Sequence, residues 1–80
     1  MTKAHMSFQE CCDAIIKHSN EPSLNYAVNY AKVGRNMIGD EARVQALYIL
    51  NNMSRWRGDD AKRVREALKI IGKERGYNVT

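Results

Sequence analysis

Apolar residues recur along this chain with helical spacing, and they do so in four separate blocks. In the first, Phe8, Cys11, Cys12, Ile15 and Ile16 share one helical face. Ser7 stands before that block and Glu10 three residues on, the signature of a capping box, with Met6 and Cys11 placed for a hydrophobic staple. The pattern lapses after His18. A second block starts at the Pro22 turn, since proline is tolerated in a first helical turn. It carries two stripes: Leu24, Ala27, Val28 and Ala31 form one, and Tyr26, Tyr30, Val33 and Met37 the other. A helix apolar on two sides is packed on two sides or lines an interface. Gly34 inside it costs about 1 kcal/mol relative to alanine and marks a close helix crossing, and Gly39 reads as its stop.

In the third block Asp40 is the expected N-cap. Ala42, Val44, Ala46, Leu47, Tyr48, Ile49, Leu50 and Met53 leave little polar surface, which predicts the central and most buried helix. Gly58 breaks the pattern. The fourth block, capped by Asp59 or Asp60, has a narrow stripe of Ala61, Val64, Ala67, Leu68 and Ile71 under a charged circumference. Gly72 and Gly76 are expected to fray its end. The fold class is therefore all-α, a compact bundle of four short helices over about 7–18, 21–38, 40–54 and 59–73. Residues 1–80 form a single helical domain with 1–6 and 77–80 as loose ends.

Eighty residues leave room for one small domain, which buries only about 60% of its unfolded surface and has a marginal core. No apolar run approaches the ~20 residues of a membrane span, and the start has no apolar signal region, so a cytoplasmic location without membrane contact is expected. The formal charge of +4 is lopsided. Residues 1–40 carry four Lys/Arg against four Asp/Glu; residues 41–80 carry nine against five. A basic second half suits an anionic partner: nucleic acid, nucleotide or an acidic protein face.

The candidate chemistry lies at the corner between the third and fourth helices. Arg55 and Arg57 flank the chain's single tryptophan, Trp56, and Lys62, Arg63, Lys69 and Lys73 follow. In one reading Trp56 stacks on a base or a partner's ring while the cations hold phosphates or carboxylates. In the other it folds back and seals a core that needs every large residue. A helix-turn-helix reading is disfavoured because Asp59-Asp60 would face phosphate where a recognition helix meets the groove. Tyr26, Tyr30 and Met37 are candidates for self-association, which makes a homodimer possible. His5, Cys11, Cys12 and His18 fail as a metal set: Cys11 and His18 lie about 10 Å apart along a helix, against bonds of about 2 Å. No cofactor motif and no catalytic set is present, so the chain reads as a binding protein and not an enzyme. Cys11 and Cys12 read as small buried hydrophobes, and the two histidines as surface residues.

The string Leu47-Tyr48-Ile49-Leu50-Asn51-Asn52, followed by Trp56-Arg57-Gly58, Ala61, Val64-Arg65 and Leu68-Lys69, resembles a group of short accessory proteins of tailed phages and prophages with the pattern YxLxN…WRG…AxxVRxxLK. The likeness covers roughly residues 24–73. It brings no activity with it; it implies a context, a small protein made in an infected bacterium. The expected function is stoichiometric inhibition or modulation of a host, defence-related protein complex. The alternatives are direct nucleic-acid or nucleotide binding through the basic face, and a role as an oligomeric structural or assembly factor.

Overall fold

The computed structural model describes residues 6–73, and among them there are four α-helices and no strand. The helices are α1 (Phe8–Lys17), α2 (Asn25–Gly34), α3 (Gly39–Asn51) and α4 (Asp59–Lys73). The expected tail 77–80, together with Gly76 and His5, lies outside the described residues. Met6, expected in a loose end, is half-buried against the core.

The capping box forms as read: the Ser7 hydroxyl accepts from the Glu10 amide, and Glu10 accepts from the Ser7 amide. Phe8, Cys11, Cys12 and Ile15 point inward. The second helix differs from the expected continuous 21–38. Pro22–Leu24 make one 3-10 turn, and α2 stops at Gly34. Its continuation would have carried Met37 outward beside Tyr30. A turn closed by the Met37 amide on the Gly34 carbonyl (2.8 Å) instead brings Met37 in, half-buried against the core. Gly39 is not the stop of α2 but the start of α3, at φ +63, a left-handed conformation suited to glycine. Asp40 is accordingly inside the first turn and not the N-cap; with Glu41 it faces the positive helix end, and it accepts from Arg43 Nε at 2.9 Å.

The third helix is not the most buried one. Ala42, Gln45, Ala46 and Ile49 face the core, whereas Leu47 and Tyr48 are 40% and 49% exposed. The apolar outer positions that suggested a central helix form surface instead. Helix α3 also ends earlier than expected, at Asn51, where the Asn52 side-chain amide donates to the Tyr48 carbonyl.

Antiparallel α2 and α3 cross closely at Gly34, as its place in the stripe implied. A Cβ there would lie 2.7 Å from Gln45 Cγ and 3.2 Å from Phe8 Cζ. Gln45 is the buried polar residue of this crossing, and its Nε2 donates to the Tyr30 carbonyl at 2.8 Å. Gly72, expected to fray the end of α4, lies buried inside that helix beneath Leu47, whose Cδ2 would be 2.6 Å from an added Cβ. Leu47 can swing its exposed tip aside, whereas Gln45 is tethered. Gly34→Ala is therefore expected to lower unfolding free energy by about 1–3 kcal/mol, the cost of overpacking, while Gly72→Ala stays within about 0.5 kcal/mol of the parent; urea denaturation of the two variants measures both.

Candidate binding face around the α3–α4 corner

Residues 52–58 join α3 to α4 and carry the tryptophan. Met53 is fully buried and Trp56 only 5% exposed, so the ring closes the end of the bundle and is not a platform for a base. Of the two readings of Trp56, sealing is the one the structure has, and its place among partner-binding residues is corrected on that ground. The Trp56 amide donates to the Met53 carbonyl at 3.1 Å. Gly58, at φ +113, turns the chain into α4 and accepts the Lys62 amide at 3.0 Å. Asp59 and Asp60 thus sit in the first turn of α4, beyond the cap position expected for one of them, where their charges suit the helix dipole.

Two residues that sequence reasoning left on the surface hold this corner. Arg65 projects back from α4, and its Nη2 donates to the Trp56 carbonyl (2.8 Å) and the Met53 carbonyl (3.3 Å). It is the donor to the Trp56 carbonyl and a second donor to the Met53 carbonyl, both in the loop, and a charged donor makes such bonds worth about 1.5–3 kcal/mol. His18, at the end of α1, lies 5.1 Å from the Trp56 ring, centre to centre, with Nε2 3.0 Å from Asp60 Oδ2. An ionised carboxylate only accepts, so that nitrogen carries the proton. A lone histidine at a helix end gave no signal of this contact; the partner lies 42 residues away in sequence.

The remaining cations diverge. Arg63 Nη1 reaches Asp60 Oδ1 at 3.4 Å, a loose surface pair. Arg55, Arg57, Lys62, Lys69 and Lys73 are exposed, and none makes an ion pair among the described residues. At 3.6 residues per turn, Lys62, Lys69 and Lys73 fall within about 40° of one another, on the ridge of α4 opposite its buried stripe. Glu66 lies on the same ridge. Arg57, Lys62, Arg65 and Glu66 also line an open depression of about 490 Å³ beside Trp56 and Ser54. Of the seven expected residues, Arg57 and Lys62 meet beside Trp56, and Lys69 and Lys73 continue the Lys62 ridge, whereas Arg63 lies on the α1 side with Asp60 and His18.

The proposed self-association residues separate. Tyr26 is 69% exposed, and Tyr30 meets Tyr48 of α3 at 5.7 Å between ring centres. Met37 is on another side, lining an apolar hollow of about 420 Å³ with Phe8 and Ile71. Its place in the second stripe assumed that α2 continued past Gly34.

Both cysteines are fully buried. Burial pushes the Cys11 thiol up to about 12, helped by the neighbouring Cys12 and Glu10 charges. Burial likewise pushes Cys12 up to about 11, with Asp13 adding and Arg35 opposing. Both thiols are thus held in the protonated form near neutral pH. Among the described residues no group of three His, Cys, Asp or Glu is placed to hold a metal ion, and no helix is long and apolar enough to cross a membrane. Compared with protein-family models, curated proteins and solved structures, the chain matches none of them.

Two outcomes follow. Trp56→Ala should cost about 3–5 kcal/mol and Arg65→Met about 1–3 kcal/mol by thermal or urea unfolding, whereas Arg57→Ala should move stability by less than about 0.5 kcal/mol. The thiols should resist a disulfide reagent at pH 8 until denaturant is added. Their pKa values are raised on folding, so the stability they contribute is intact below pH ~9 and declines as pH climbs toward their folded values of about 11 and about 12.

Proposed function

We propose that this chain is a small, non-enzymatic binding protein of the phage type, acting by stoichiometric association with a host protein complex in the host cytoplasm. The context implied by the resemblance makes that complex a defence-related one. The observation that carries the reading is the sign pattern on the outer ridge of α4. Lys62, Lys69 and Lys73 share it with Glu66, and Asp59 stands at its head. A nucleic-acid backbone presents one sign of charge at close spacing, and such a ridge would set carboxylates against it. An acidic protein face can place a base opposite Glu66 and acids opposite the lysines, which gives register as well as attraction. The burial of Trp56 also takes away the aromatic stacking that would have favoured a base. Arg57, exposed on the adjoining loop, lines a depression with Lys62 and Glu66 and extends the same face.

The test pairs capture with a nucleic-acid titration. Immobilised protein should retain a host complex at low salt, and the Lys62→Glu, Lys69→Glu double variant should lose at least about tenfold in affinity, the equivalent of about 1.4 kcal/mol, with its helix content unchanged. Duplex DNA, RNA and free nucleotides should not bind measurably. If they do bind, with log affinity falling against log salt at a slope near −4 to −5 (about five phosphates neutralised), the chain is a direct nucleic-acid binder and the proposal fails.

A further inference from the structure

Away from the basic ridge, α2 and α3 together present an apolar outer face. Tyr26, Tyr30 and Val33 recur at i, i+4 and i+7 on α2, and Tyr26 and Val33 are 69% and 67% exposed. Tyr30 stacks on Tyr48 across the pair, and Leu47 and Tyr48 carry the surface along α3. Scattered exposed apolar residues need no explanation, but a contiguous patch on two packed helices marks an interaction surface.

The charge pattern says what fits it. The chain has 22 charged residues in 80, counting 13 basic and 9 acidic. Yet residues 24–31 of the second segment contain none, and neither do residues 44–51 of α3. The polar positions nearest the rings are amides, Asn25, Asn29 and Asn51, with Lys32 and Glu41 further out along the two helices. A two-fold pairing sets every group close to its own copy, so charged faces repel themselves and neutral ones do not. Among the described residues, most exposed cations without an ion pair lie on α4 and on the loop before it, and the α2–α3 face has only Lys32 on α2 and Glu41 at the start of α3 along its margin, so it is the approach by which two copies of a +4 chain meet with least repulsion.

We infer that the outer face of α2 and α3, built on Tyr26, Tyr30, Val33, Leu47 and Tyr48, pairs with the same face of a second copy to give a two-fold dimer. The patch belongs to the small end of specific interfaces, so the dimer is reversible and depends on concentration. Pairing leaves the α4 ridge of each copy outward, and two equivalent basic faces result.

Sedimentation or light scattering from low micromolar to near-millimolar protein tests this. The mass should rise from one chain to two, and added salt should leave the transition in place or strengthen it, as expected of apolar contact. Val33→Glu and Tyr26→Glu, both at exposed positions, should keep helix content and stay monomeric over the same range. Lys69→Glu should dimerise as the parent does. As a second reading, Val33→Cys should form a disulfide-linked pair under mild oxidation, where Lys62→Cys does not. A parent that stays monomeric throughout, a dimer that survives Val33→Glu and Tyr26→Glu, or a dimer that salt dissolves would each overturn the inference.

Discussion

The bundle depends on closing its open end with one large ring. A chain of this size has a total stability of only about 4–12 kcal/mol at ordinary values per residue, and a buried tryptophan is worth about 3–5 kcal/mol of that. Trp56 comes from a loop, not a helix, so its position must be enforced from outside. Arg65 does this from α4 by taking up the Trp56 and Met53 carbonyls. His18 does it from α1 by lying against the ring while gripping Asp60. Two helices, α1 and α4, and the loop after α3 are thereby joined at one corner, through contacts of 9, 12 and 42 residues' separation.

This arrangement separates two uses of positive charge that are indistinguishable by residue type. The Arg65 guanidinium is half-buried and directed at backbone oxygens, a geometry that its planar fork of donors suits. Lys62, Lys69 and Lys73 extend into solvent, where an ammonium on a flexible stem keeps its hydration. The same short segment therefore combines an anchor for the scaffold with an outward basic ridge, and the anchor fixes the helix that presents the ridge.

Much of this was legible in the residues. Capping at Ser7 and Glu10, the buried stripes of α1 and α4 and the close approach at Gly34 all follow from local spacing, because local spacing is what determines them. What was not legible required knowledge of neighbours. Leu47 and Tyr48 look like core by composition, but a four-helix arrangement this small has no further layer to cover the outside of α3. Met37 reads as part of a continuous stripe until the chain turns at Arg35, where the guanidinium leaves the helix line to pair with Asp13 of α1 at 2.6 Å. Arg65 and His18 occupy positions that sequence periodicity assigns to solvent. Their partners are backbone carbonyls and a distant aspartate, which leave no trace in the spacing of side chains.

The crossing of α2 over α3 has a consequence for how such a chain can change over generations. The missing side chain at position 34 is occupied by the stem of Gln45, and the amide beyond it satisfies a carbonyl of the opposing helix. A larger residue at 34 evicts the glutamine and parts its side-chain amide from the Tyr30 carbonyl; a smaller residue at 45 opens a gap under the glycine. Neither site can drift alone without loss, so descendants that depart from this pair should do so at both sites together, and the two columns of any lineage should move as one.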